Sequence, residues 1–362
     1  MDHSANDTTR AWVEVDLGAL RQNGAALARR AGVPIIPMIK ADAYGVGAPA
    51  AVRALDALDP WGYGVATVDE GAALRAAGVE RPILLFTPLA AGEVAGAREA
   101  ALTPALSSRG AITEWASTGL PWHLAIDTGM SRAGIRWDEL GSLGLLPSGA
   151  YPQGAFTHFH SAERNDGSAG EQERRFERAI AGLARRPALL HCENGAAIVR
   201  RERSRWDLVR GGVFLYGVGS GDGAAFEPAP VVSVRARVVD MRTLQEGETV
   251  SYCATYRAVG RRRIATLSIG YGDGYRRALS NRGSALVRGA RVPVAGLVTM
   301  DMTMLDVTDV PCELGDIATL VGADGRDALP LEAVARAADM SPYELLTGLR
   351  GRLARVYREA PA

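Results

Sequence analysis

The sequence predicts a (β/α)8 TIM barrel over residues 11–228 and a mostly antiparallel β domain over residues 229–362, behind a polar tail of residues 1–10. Three observations predict it. Short apolar runs alternate with helix-period segments from residue 12 to residue 210, which is the pattern of parallel βαβ units. About eight such units in roughly 200 residues match a closed barrel better than an open, doubly wound sheet. Near Pro230 the apolar period falls to two: Val232, Val234, Ala236 and Val238 alternate with Ser233, Arg235, Arg237 and Val239.

Taken in order, residues 12–16 alternate as a strand does, and residues 17–31 read as a helix with Gly32 as its C-cap. Residues 33–39 form an apolar run that stops at Lys40. A helix follows to about residue 58, then a strand over 61–67, a helix over 68–77 and a buried strand over 82–86. Weaker units pair a strand at 103–106 with a helix near 109–117, and a strand at 122–127 with a helix near 137–145. A strand over 154–160 precedes a helix over 168–184 with Phe176, Ile180 and Leu183 on one side. Strands at 188–191 and 207–210 close the series. No G-x-G-x-x-G opens a helix after the first strand, and the late run Gly217-Val218-Gly219-Ser220-Gly221 reads as a linker. In the second domain, alternating runs at 263–269, 284–288, 292–298, 302–307 and 317–321 lead to short helices near 331–338 and 342–349 and a last strand at 353–357.

Composition bounds the function. With 47% hydrophobic and 23% charged residues the chain suits a globular enzyme, and a net charge of +0 gives no footprint for nucleic acid or an anionic membrane. The basic residues are overwhelmingly arginine, and the clusters at 200–205 and 261–263 read as solvated faces. Cys192, Cys253 and Cys312 lack metal-type spacing and suit a reducing compartment without disulfides. The polar start lacks a signal-peptide apolar region, and no apolar run is long enough to span a bilayer, so the expected location is the cytoplasm.

In such a barrel the chemistry lies at the C-terminal ends of the strands. The strand assignment puts Lys40, His158, His160, Asn194 and Arg210 there. A lysine at a strand end commonly snorkels to solvent. Half desolvated, its amine loses charge and becomes a base or nucleophile. Arg210-Gly211-Gly212-Val213 and Asn194-Gly195 offer open backbone N–H groups to a phosphate, although a lone Gly-Gly is also just a turn. His158 and His160 alternate, as two metal ligands on one strand face would, but His123 lies at the wrong end of its strand and His191 has no evident partner, so no metal is expected. Tyr252 and Tyr271 fall in the β domain, where buried tyrosine is ordinarily packing.

Together these residues resemble the alanine racemases, pyridoxal-phosphate enzymes of fold type III. Lys40-Ala41-Asp42-Ala43-Tyr44-Gly45-Val46-Gly47 resembles their cofactor-lysine signature, with Val46 where a histidine is usual. Asp127 to Gly134, Thr157-His158-Phe159, Val209-Arg210-Gly211-Gly212, Tyr216-Gly217, Val250-Ser251-Tyr252, Gly270 to Tyr275 and Met300-Asp301 follow in the family order. The resemblance spans nearly the whole chain beyond residue 10. It implies that pyridoxal 5'-phosphate is held through Lys40, one of two catalytic bases, and that Tyr252 of a second copy is the other, on the opposite face. It implies that Arg210 meets the pyridine nitrogen without protonating it, which limits side reactions, and that His158 steadies Arg210. Tyr44, Asn194, Gly195, Gly212 and Val213 would hold the phosphate end. Arg132 and Met300, with Asp301 beside it, would bind the carboxylate of a small amino acid, and Tyr271 would line the entrance. Because Tyr252 and Met300 come from the other chain, the resemblance implies a homodimer with shared active sites that interconverts L- and D-alanine.

Three positions depart from the family pattern: Ala125 where many members have a carbamylated lysine, Gly195 in place of a phosphate-site serine, and Gly351 in place of a tyrosine. They leave open the same chemistry on serine or a larger amino acid. A non-catalytic cofactor-binding protein would usually lack the β domain with Tyr252. A decarboxylase of this fold would place a cysteine and an aspartate at the site, and Cys312 stands in a different context.

Overall fold

The computed structural model describes residues 9–359 apart from 91, 145, 147, 148 and 350. The tail expected over residues 1–10 thus lies almost wholly outside the described residues. The chain starts with β1 (Ala11–Asp16) and α1 (Leu17–Ala31). Short parallel strands follow: β2 (Ile35–Pro37), β3 (Tyr63–Val65), β4 (Ile83–Leu85), β5 (Thr103–Leu106), β6 (His123–Asp127), β7 (Gly154–Phe156), β8 (Leu189–His191) and β9 (Val209–Gly211). β3 to β8 pair in sequence, and β9 pairs with β2, placing Arg210 opposite Ile36. Single parallel bridges, Met38 to Gly64 and Asn194 to Arg210, close the ring. Apart from buried His123, His191 and Arg210, the strands are largely apolar on both faces because one face fills the barrel and the other meets helices. Helices Ala48–Asp56, Val68–Ala76, Glu93–Glu99, Arg109–Ala116, Ser168–Ala181 and Gly195–Arg200 cover the outside.

Two elements differ from expectation. The helix expected near 137–145 is instead a two-residue strand, Ile135–Arg136, and a single 3-10 turn, Leu140–Leu143. Gly141 and Gly144 lie within that stretch, and Gly144 takes a φ of 57°, which an α-helix cannot continue through. The second difference concerns β1, which does not enter the barrel. It pairs antiparallel with the strand Val232–Leu244 and parallel with the strand Ala354–Arg358, in the middle of the C-terminal sheet. Glu14 explains the choice. Its buried carboxylate meets Arg235 at 2.9 Å and Arg358 at 2.7 Å, cations that only this sheet supplies.

With β1 in the other sheet, α1 closes the outer layer. It packs against the Ala48–Asp56 and Gly195–Arg200 helices. Buried Asn23 bonds the carbonyls of Leu215 and Ala229 and accepts from the Ala229 amide, which locks the interdomain segment to α1. The other C-terminal strands, including Arg262–Leu267, Ser284–Val287, Thr303–Asp306 and Ile317–Asp324, pair antiparallel. The helix Pro342–Thr347 folds back onto the segment that follows β2. Among the described residues, no helix is long and apolar enough to cross a membrane.

Candidate active site

A cavity of about 1270 Å³ opens at the C-terminal ends of the barrel strands. Its central feature is the backbone after β2. Ala41, Asp42, Ala43 and Tyr44 take φ values of 54°, 52°, 54° and 55°, one turn of left-handed helix. Left-handed backbone costs L-residues about 1–2 kcal/mol each, so the turn persists only because its surroundings impose it. The Asp42 carboxylate accepts from the Ala48 amide at 2.7 Å. Arg355 donates twice to the Gly45 carbonyl, at 3.0 and 2.8 Å, and the Tyr357 hydroxyl donates to the Val46 carbonyl. Gly45 itself sits at φ 83°, where a Cβ would come within 2.8 Å of the Leu346 carbonyl oxygen.

The turn brings both of its ends to the cavity. Lys40 Nζ lies 6.0 Å from the centre of the Tyr44 ring, and that ring stacks on Tyr216 at 4.8 Å. Tyr216 is buried and donates to the Met38 carbonyl. Lys40 is the only lysine in the 362 residues. Burial, and then the Arg132 charge, lower its amine below the ordinary lysine value, while Glu70 works in the opposite direction.

Arg210, only 3% exposed, has no carboxylate partner among the described residues. Its Nη1 donates to His191 Nδ1 at 2.8 Å and to the His191 carbonyl; Nη2 donates to the carbonyls of Thr157 and Cys192 and, at 3.3 Å, to His158 Nδ1. All the terminal N–H groups are thereby engaged, and Nε is the donor left without a bond among the described residues. Burial pushes the guanidinium down to about 10, so it stays cationic at neutral pH.

The cation fixes the histidines around it. His191 accepts through Nδ1, so its proton is on Nε2, which donates to His123 Nδ1 at 2.9 Å. Burial, and for His191 and His158 also the neighbouring Arg210, hold His123 and His158 at about 3 and His191 well below its usual value. All three are neutral when folded and protonate when unfolded below pH about 6.5. Stability present above that pH is therefore lost as the pH falls, by about 1.4 kcal/mol per pH unit for each proton. The melting temperature is expected to drop measurably from pH 7 to 5.5, and a flat profile over that interval would contradict the assignment.

The cavity is lined by Lys40, Tyr44, Arg132, His158, Asn194, Gly195, Arg210, Gly212 and Val213, as the sequence predicts. Arg132 makes no hydrogen bond or ion pair among the described residues, and Ala125 of β6 lines the same cavity. Asn194 caps the Gly195–Arg200 helix through the Ala197 amide. His160 is a correction. The strand ends at Phe156, so the alternation with His158 is lost, and His160 is exposed and bonded to Ser161. His191, without evident partner in the sequence, turns out to be the main support of Arg210. Its link to His123 passes over the intervening strand β7 at Gly154, and no local pattern could have revealed it. The glycine run read as a linker also lines the cavity: Arg200 holds Ser220 and Asp222 by their carbonyls, placing Gly219 and Ser220 at the rim. Glu163, Tyr343 and Thr347 are further lining residues without a sequence signal.

Tyr252, Tyr271, Met300 and Asp301 do not reach the cavity of their own chain. Tyr252 is 70% exposed, Met300 53% and Tyr271 40%. Asp301 is bound to Arg352, which also holds Asp273.

Comparison with known proteins decides the family. The family model for the alanine racemase N-terminal domain matches residues 15–220, and that for the C-terminal domain matches residues 231–357. The chain belongs to the alanine racemase family. The alanine racemase of Symbiobacterium thermophilum is 37% identical over 96% of each chain, and that of Sorangium cellulosum 38% identical over 96% of this chain and 98% of its own. Among solved alanine racemases, the Bacillus anthracis structure with bound L-Ala-P superposes with a TM-score of 0.90, at 29% identity, covering 97% of this chain and 95% of that one. The Bartonella henselae structure, with covalently bound pyridoxal phosphate, gives 0.88 at 29% identity over 97% of this chain and 100% of that one.

The cavity fits that cofactor. It offers one amine, one buried cation with a spare donor, and open backbone at the far end. A Cβ on Gly212 would stand 3.5 Å from the Tyr44 hydroxyl, and one on Gly195 3.3 Å from Phe214 Cβ, so side chains there would fill the cradle.

Proposed function

We propose that this chain interconverts L- and D-alanine with pyridoxal phosphate, using Lys40 and the Tyr252 of a second copy as its two bases. The observation that carries the reading is the lone lysine. A cofactor held covalently through a lysine has a single attachment point in this sequence, and that residue lines the same cavity as Arg210. When bound, the cofactor makes the α-proton of an attached amino acid acidic by drawing in the electrons left behind.

The remaining roles belong to the protein. Lys40 Nζ, with its charge disfavoured, takes or returns a proton on one face of the α-carbon. The Tyr252 hydroxyl does the converse on the other face, and inversion requires one group on each side. Arg210 offers its Nε–H to the ring nitrogen without surrendering the proton, and the neutral His191 and His158 hold it in place. Arg132, free of ion pairs, receives the substrate carboxylate, with Met300 and Asp301 of the second copy closing that side and its Tyr271 at the entrance. Tyr44, Asn194, Gly195, Gly212 and Val213 hold the phosphate. The exposure of Tyr252 and Met300 supports a homodimer in which each β domain completes the partner's cavity.

Borohydride should fix the cofactor to one peptide only, the one containing Lys40, and chiral analysis should find D-alanine formed from L-alanine. A colourless protein without racemisation after cofactor is added would reject the proposal. The space beside Ala125 favours a second reading, the same reaction on serine or a larger amino acid. Rates across a panel of amino acids separate the two, and a wide preference for alanine removes the second.

A further inference from the structure

Glu70 lies on the helix Val68–Ala76, outside the set of residues that any family motif marks. It is the third residue of that helix and closes a capping box: Thr67 Oγ1 accepts from the Glu70 amide, and Glu70 Oε2 accepts from the Thr67 amide. A capping box ordinarily uses one carboxylate oxygen and leaves the other to solvent. Here Oε2 also accepts from the Ala66 amide at 2.8 Å, and Oε1 accepts from the Ala41 amide at 2.7 Å. One carboxylate thus joins the end of β3 to the first residue after Lys40. Ala41 and Ala66 both line the cavity.

Ala41 is where the backbone turns left-handed, and its amide has no partner within the turn. The opposite end of the turn is held by Arg355 at Gly45, while Glu70 holds the end that bears the lysine. Arg210, Asp127 and Glu163 line the same cavity as Lys40, but the charges that act on its ammonium are Arg132, which opposes it, and Glu70, which favours it. The Tyr44 ring faces it, and His158 is neutral. Asp42 points away, toward Ala48 and the side of Arg355.

We propose that Glu70 is a positioning residue for Lys40: it fixes the direction in which the lysine enters the cavity and supplies the negative charge that counters Arg132. The first role belongs to its hydrogen bonds and the second to its charge, so the two can be separated by substitution. This rests on Lys40 being the reactive amine, but the test reads that amine directly and does not depend on racemisation.

Because Lys40 is the sole lysine, the pH dependence of its acylation by acetic anhydride in the cofactor-free full-length protein, followed on its peptide by mass spectrometry, titrates a single side-chain amine. Glu70→Gln keeps an oxygen for Ala41 and removes the charge, with loss of the acceptor that the Ala66 and Thr67 amides share. Its Lys40 inflection should fall by about half a pH unit, the influence of one partly exposed carboxylate on a nearby cation. Glu70→Asp keeps the charge but is too short to span both amides. Its inflection should stay near that of the parent, while its dissociation constant for pyridoxal phosphate rises about tenfold as the lysine loses its support. An unchanged inflection in Glu70→Gln, or an unchanged cofactor affinity in Glu70→Asp, would overturn the proposal. Either variant alone suffices to overturn it if the other does not fold.

Discussion

Lys40→Ala is expected to leave a folded, colourless protein whose racemisation falls by at least about a thousandfold, the scale of losing a positioned base together with the covalent anchor of the cofactor. The effect should be unusually complete. In most proteins a neighbouring lysine can partly take over, but this variant contains no lysine at all. Fold retention is expected because the Lys40 side chain makes no hydrogen bond or ion pair among the described residues, while the left-handed turn is held from Asp42, Arg355 and Tyr357. The checks are the visible absorbance after addition of pyridoxal phosphate, the melting temperature and chiral product analysis. Retention of more than about a tenth of the activity would remove Lys40 from the mechanism.

The second large effect concerns where Tyr252 acts. Tyr252→Phe alone should lose most activity in both directions. Mixing the two inactive variants gives a sharper result. In a dimer of one Lys40→Ala chain and one Tyr252→Phe chain, shared sites would leave one cavity with both bases and the other with neither. Random reassortment makes half the dimers mixed, each with one working site, so about a quarter of the parental activity should return. If Tyr252 served its own chain, every cavity would lack one base and mixing would restore nothing. The 70% exposure of Tyr252 and its absence from the cavity of its own chain are the structural basis for expecting recovery.

The parts of the fold that could be read from sequence are those set by local physics. Buried runs such as Ile83–Leu85, and helices with clear caps such as Thr67 with Glu70 and Asp16 with Ala19, carry their signals within a few residues. β1 could not be assigned that way. Its alternation was visible, but the sheet it joins was decided by Arg235 and Arg358, hundreds of residues away. The site divides along the same line. Lys40, Tyr44, Asn194 and Arg210 stand at strand ends or turns with local signatures, and they converge in the structure. His191 and His123 come together only when β6 and β8 pair on either side of β7, 68 residues apart in sequence. His160 failed for the opposite reason: a period-two argument was carried past Phe156, where the strand had already ended.

The bond between Arg355 and Gly45 spans 310 positions of sequence. During synthesis the ribosome makes the lysine turn early and the strand Ala354–Arg358 long afterwards. Until that strand docks beside β1, Arg355 and Tyr357 are not there to hold the Gly45 and Val46 carbonyls, and of its side-chain supports the left-handed segment keeps only the Asp42–Ala48 and Glu70–Ala41 bonds. Two of the supports of the Lys40 turn are therefore completed only when the last strand has been made and has docked. A chain stalled short of residue 354 would carry Lys40 without the Arg355 and Tyr357 bonds to its turn.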